Sequence, residues 1–125
     1  MDTQKICVLH IDDEPTNVLL FEINFQNKYK VISAYNGTEG LEKVKGNPEI
    51  RVVFCDMKMP GISGIEFAKQ LQAIKPGTPC FILTGYDISP DLINEINNGT
   101  VSGYIQKPFE IEHIDNAVKK TLENS

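Results

Sequence analysis

Asp12 and Asp13 follow the apolar run Cys7-Val8-Leu9-His10-Ile11, and Asp56 follows Val52-Val53-Phe54-Cys55. Thr84 closes Phe81-Ile82-Leu83, and Lys107 comes directly after Tyr104-Ile105-Gln106. Carboxylates gathered at one place repel one another unless a cation joins them. Hard oxygen ligands, with no His or Cys at those run ends, suit Mg2+ or Mn2+, which bind through a few carboxylates and keep several waters. A carboxylate is also a nucleophile able to form an acyl phosphate. Phosphoryl transfer needs its equatorial oxygens neutralised, and a divalent ion, the Lys107 ammonium and the Thr84 hydroxyl would do that.

Such convergence requires a fold that carries all these run ends to one edge. The near-continuous apolar run Lys5–Ile11 reads as a strand covered on both faces. "EPTNVLLFEINFQN" follows as a helix, with Pro15 in its tolerant opening turn. "YKVISAY" is a second strand, and Asn36-Gly37 turns the chain. "TEGLEKVKGN" is a short helix ended by Gly46-Asn47-Pro48, and "RVVFC" a third strand. Ile65, Phe67, Ala68, Leu71 and Ile74 form a helical stripe closed by Lys75-Pro76-Gly77. "PCFILT" is the fourth strand, and Ser89, Pro90 and Asp91 supply cap, first turn and dipole-matched acid for a helix through Asn97. "SGYIQ" is a short fifth strand; a last helix from Glu110 to about Glu123 carries Ile111, Ile114, Val118 and Leu122 on one face.

Five strands alternating with five helices predict a three-layer α/β domain with a parallel sheet. In such folds ligands sit beyond the carboxyl ends of the strands. The 125 residues make one domain, 1–125, with no repeat or linker. A net charge of −5 and no basic block argue against nucleic acid or an anionic membrane as direct partner. No signal peptide or transmembrane run is expected. Cys7, Cys55 and Cys80 are odd in number and sit in apolar runs, which predicts buried free thiols in a reducing cytoplasm.

"HIDDE", "CDMKMPGISG", "LTGYD" and "YIQKPF", in this order and spacing, resemble the receiver domain of two-component response regulators, of the chemotaxis-regulator-like kind. The match spans essentially the whole chain. The resemblance implies a doubly wound flavodoxin-like (βα)5 fold with strand order 2-1-3-4-5. It implies a switch rather than an independent enzyme: a sensor histidine kinase or histidine phosphotransfer protein donates a phosphoryl group to Asp56. Asp13 would bind the divalent ion directly, with Asp12 helping through water and the Lys58 backbone carbonyl completing the protein ligands. Thr84 would hydrogen-bond the phosphoryl group and Lys107 would pair with it. Pro108 matches a proline commonly in a cis peptide. Tyr104 matches an aromatic that turns inward as Thr84 moves, altering a surface of the fourth helix, fifth strand and fifth helix for a downstream partner. Lys58 and Tyr86 would flank the acyl phosphate and set its lifetime.

Plainer readings compete with each role. Asp12 and Asp13 would serve as helix caps, Asp56 as a loop-starting residue, and Tyr104 as a core tyrosine. His10 reads as a packed core histidine and His113 as surface. A haloacid-dehalogenase-type phosphatase would carry D-x-D after its first strand, which "DDEPT" lacks; a flavodoxin would need a phosphate loop there. A pseudo-receiver is disfavoured because Asp13, Asp56, Thr84 and Lys107 are all present. Two departures from the family pattern stand out: "GTVSGY" is about one residue longer than usual, and Gly85 replaces a common alanine. Whether the chain stands alone or is cut from a larger regulator is not written in it.

Overall fold

The computed structural model describes residues 5–85 and 88–123. Strands and helices alternate throughout: β1 (Cys7–Ile11), α1 (Pro15–Phe25), β2 (Lys30–Ala34), α2 (Gly37–Gly46), β3 (Ile50–Asp56), α3 (Gly64–Ile74), β4 (Cys80–Thr84), α4 (Pro90–Asn97), β5 (Gly103–Gln106) and α5 (Ile111–Glu123). The sheet is parallel, in the order β2-β1-β3-β4-β5. β1 and β3 therefore lie side by side, and β1 is also where the strand order reverses.

Period-2 alternation divides the core into two clusters, one on each side of the sheet. Cys7, Leu9 and Ile11 of β1, with Val53 and Cys55 of β3, face Phe67, Ala68 and Leu71 of α3 and Leu92 of α4. Val8 of β1, with Val52 and Phe54 of β3, faces Phe21 and Phe25 of α1 and Ile114, Ala117 and Val118 of α5. The three cysteines are buried and free, as their apolar settings predicted. Burial pushes the Cys80 thiol up to about 12 and raises Cys7 and Cys55, so none is a thiolate at neutral pH.

Several local expectations change. The chain bends at Asn36 as expected, and Asn36 also caps α2, its side chain accepting the Glu39 N–H at 2.8 Å, so the helix starts at Gly37. Ser63 and Ser89 cap α3 and α4 in the same way. Ile74 is exposed, and so are Ile111 and Leu122, both placed on the inner face of the last helix by sequence. The buried stripe of α5 is instead Ile114, Ala117, Val118 and Thr121. That spacing is a tighter helical repeat, and Thr121 buries its hydroxyl by donating to the Ala117 carbonyl at 3.1 Å. The long "GTVSGY" segment stays attached to α4. Thr100 and Val101 both donate N–H to the Glu95 carbonyl, and Val101 is buried.

Candidate functional site

Asp12, Asp56 and Thr84 are each placed by a buried central strand. β1 is buried along its whole length, and Asp12 continues it, donating its N–H to the Ala34 carbonyl of β2 at 3.1 Å. Asp56 is the last residue of β3, and its successor Met57 donates N–H to the Leu83 carbonyl of β4 at 2.9 Å. Thr84 ends β4, and its carbonyl accepts the Lys107 N–H at 2.8 Å. These bonds tie the end of β1 to β2 and the ends of β3, β4 and β5 to one another, while β1 and β3 pair up to Ile11 and Cys55.

The side chains then converge. Carboxylate oxygens of Asp12, Asp13 and Asp56 lie within 4.8 Å of one another. Lys107 reaches into the group, its Nζ 3.0 Å from Asp56 Oδ1 and 3.3 Å from Asp12 Oδ2. An open crevice of about 480 Å³ above them is bordered by Asp13, Asp56, Lys58, Thr84 and Lys107. Thus six of the residues singled out by sequence meet at one place. Tyr104 does not: it projects from β5 and is 42% exposed, which rules out the core-tyrosine reading. It borders a separate groove with Phe81, Pro108 and Lys120. Tyr86 lies outside the described residues.

Asp12 combines two roles that were weighed as alternatives. It is 1% exposed, its Oδ1 accepts the Glu14 N–H at 2.9 Å, and its Oδ2 faces Lys107. The helix cap itself is Glu14, with no side-chain bond, so the capping reading of the two aspartates is only half right. The Lys107–Pro108 peptide is cis, as the resemblance implied.

One ammonium shared by a carboxylate cluster does not neutralise it. Burial raises the Asp56 carboxyl above its usual range; Lys107 opposes this and the Asp12 charge adds to it. Burial alone would lower Lys107, but Asp56 and Asp12 outweigh it and leave the ammonium held more tightly than usual. The two shifts differ in cause, burial at Asp56 and the carboxylates at Lys107, and the cluster still carries an excess of negative charge. An added cation would relieve that excess. The donor set fits a hard divalent ion, since Asp13 and Asp56 border one open crevice with Asp12 close behind them and no thiolate or imidazole bordering it.

Two neighbours escaped the sequence reading. Asn17, on the first turn of α1, borders the crevice. Gly64 opens α3 directly beneath Asp56: its N–H donates to the Met57 carbonyl at 2.9 Å, and a Cβ there would lie 2.6 Å from the Asp56 carbonyl oxygen. The second glycine of "PGISG" was the available signal, and only close backbone approach explains it.

Residues 8–119 match the response regulator receiver domain family. The chain belongs to that family. This receiver domain is 35% identical to sporulation initiation phosphotransferase F of Bacillus subtilis over 117 residues, covering 92% of each chain. A response regulator receiver domain protein from Clostridium thermocellum superimposes with a TM-score of 0.84 at 30% identity, covering 94% of both chains. The response regulator TrrA of Thermotoga maritima, solved in complex with Mg2+ and BeF, gives 0.78 at 29% identity, over 92% of this chain and 97% of that one. Other curated relatives are much longer. The chain spans 25% of a hydrogenase transcriptional regulatory protein from Cupriavidus necator and 52% of a transcriptional regulatory protein from Bacillus subtilis. Among the described residues no helix is long and apolar enough to cross a membrane.

Proposed function

We propose that Asp56 is the phosphoacceptor of this receiver domain and that the phosphoryl group comes from a histidine kinase or a histidine phosphotransfer protein. The single observation that carries this is the Asp12–Asp13–Asp56 cluster with Lys107 drawn into it, at the carboxyl ends of adjacent strands. An Asp56 carboxylate oxygen attacks phosphorus, the P–N bond to the donor imidazole breaks, and the leaving nitrogen keeps the electron pair. Lys107 is positioned to follow the negative charge from carboxylate to phosphoryl oxygen, and the Thr84 hydroxyl to donate to a second oxygen.

Asp13, Asp56 and the Lys58 carbonyl would hold Mg2+ or Mn2+, with Asp12 acting through water. When bound, the ion supplies positive charge to the transferring oxygens and offsets the repulsion between carboxylates. The Mg2+ and BeF complex of the Thermotoga protein supports this reading by family likeness. The domain, spanning 1–125 as a single unit, catalyses only its own phosphorylation and slow loss of the group, in the cytoplasm. Lys58 and Tyr86 set how long the acyl phosphate survives. Output passes through Tyr104 to the face of α4, β5 and α5, where a downstream protein docks.

Intact-mass spectrometry after incubation with Mg2+ and a small acyl phosphate tests the chemistry. One hydroxylamine-labile phosphoryl adduct is expected, lost without Mg2+ and in Asp56→Asn. An unmodified wild type with its fold intact would leave a pseudo-receiver that binds without phosphorylation.

A further inference from the structure

Beside the crevice lies a second cavity, which shares Asn17 and Lys107 with it and is also lined by Asp12. It measures about 420 Å³ and is walled by Leu20, Phe21 and Phe25 of α1 and by Pro108 and Phe109 beyond β5. The rest of its lining is polar: His10 of β1, with Asp12, Asn17, Asn24 and Lys107. The imidazole is only 2% exposed and stacks on Phe21, with ring centroids 4.0 Å apart and planes 8° from parallel. Its Nδ1 has no hydrogen-bond partner.

Buried polar atoms are nearly always paired, and leaving one unpaired carries a desolvation cost. Here the phenyl face of Phe21 covers one side of the imidazole and offers no lone pair or N–H. The cavity supplies the open approach. Five of the ten lining residues are apolar, and about 420 Å³ is far more than one bridging water fills. Apolar walls beside the unmet His10 nitrogen suit a small flat ring with one polar hydrogen-bonding group.

We propose that this slot binds a small aromatic molecule carrying a hydroxyl group, which fills the Phe21–Phe109 cleft and hydrogen-bonds the His10 imidazole. Lys107 and Asn17 border both the slot and the acidic crevice. Occupancy against Pro108 stiffens Lys107 in its pairing with Asp12 and Asp56, which competes with a divalent ion for the same oxygens. The slot ligand and the cation therefore weaken each other, by the same factor in each direction. This coupling rests on the cation reading above; binding in the slot does not.

The test begins with metal-free protein, using phenol as probe and toluene as its hydroxyl-free counterpart, read by amide and imidazole 15N–1H NMR. Phenol is expected to bind at least fivefold more tightly than toluene, shifting Leu20, Phe21 and Phe109 amides and the His10 ring nitrogens. In His10→Leu the preference should disappear while toluene binding persists. Equal affinities in the wild type, or shifts located elsewhere, would overturn the site, and the wild-type imidazole signals decide this even if the variant does not fold. Mg2+ is then titrated with and without saturating phenol. A Kd raised at least twofold supports the coupling, an unchanged Kd overturns it, and absence of any Mg2+ binding removes the cation reading while leaving the slot intact.

Discussion

The carboxyl ends of β1 and β3 and the edge formed by α4 and β5 are built to opposite standards. β1 is buried at every residue, and β3 from Val52 to Cys55 is 0% exposed. β5, by contrast, alternates half-buried and exposed positions, and Leu92 is the one buried residue of α4. Chemistry that depends on carboxylate spacing of a few ångströms sits where the backbone is held by neighbours on both sides. The surface assigned to output sits where little burial would be lost if an element shifted. Low local burial is what permits such movement.

The sharpest way to break this contrast is to cut the core under the site. Phe54 is fully buried two residues before Asp56 and stacks near Phe81, with centroids 5.7 Å apart. Phe54→Ala should cost about 3–5 kcal/mol in urea unfolding, through lost burial and the cavity left behind. A cost under about 1 kcal/mol, the scale of a surface change, would mean that the central strands are no more tightly held than the edge.

Gly64 probes the same rigidity without touching a reactive group. Its absent Cβ would meet the Asp56 carbonyl oxygen and, at 3.2 Å, Met57 Cα, both of them backbone. Gly64→Ala should therefore destabilise by about 1–3 kcal/mol through overpacking and slow phosphorylation by displacing Asp56. If the variant were phosphorylated at the wild-type rate, the site would be more forgiving than its strand anchors imply.

The same contrast explains what could be read from sequence. Apolar runs ending in Asp12, Asp56 and Thr84 announced the central strands, because burial on both faces leaves a continuous apolar signature that no other arrangement of these short runs requires. The convergence of their ends then followed from parallel topology. Asn17 was not legible, since its place over the crevice depends on the rotation of α1 and not on residue type. Nor was the inner face of α5, where Ile111 and Leu122 looked internal and Thr121 was not singled out. Only packing against the sheet, with the hydroxyl satisfied within the helix, decides that exchange. The pairing of Lys107 with buried Asp12 was also hidden, because a lysine in a loop is ordinarily solvated.

Electrostatics sharpen the comparison further. Burial raises the Asp56 carboxyl, so the folded chain holds that proton more tightly than the unfolded chain does. Its contribution to stability is fully present below the ordinary carboxylate pKa and is lost as pH rises to the raised value. Mg2+ should restore stability above that window, by about 1.4 kcal/mol at ten times its Kd, and should do nothing once the carboxyls are protonated. Thermal melts across pH, with and without the ion, read this directly. In metal-free protein near neutral pH, Asp56→Asn should melt no lower than wild type, because it removes a charge that the cluster disfavours. A clearly lower melting temperature would show that the Asp56–Lys107 pair stabilises more than the surrounding negative charge costs.

The smallest effect on stability should come from the edge. Tyr104 is 42% exposed, pairs through its backbone with Ile82, and borders a groove of about 730 Å³ with Phe81, His113 and Lys120. Tyr104→Ala leaves the ladder intact and removes no buried area comparable to that of Phe54, so unfolding free energy should stay within about 0.5 kcal/mol of wild type. Phosphorylation of Asp56 should also be unaffected, because Tyr104 does not border the crevice. What should change is the response to phosphorylation. Amide shifts in α4 and β5 between the unphosphorylated and phosphorylated states should shrink in the variant, while those at Asp13, Asp56 and Lys58 persist. Stability and phosphorylation then separate from signal transmission at a single residue. If the α4 and β5 shifts survived unchanged, low burial at this edge would be a matter of solvation alone, and the route from Asp56 to the output face would have to run through Lys107 and the loop to α5.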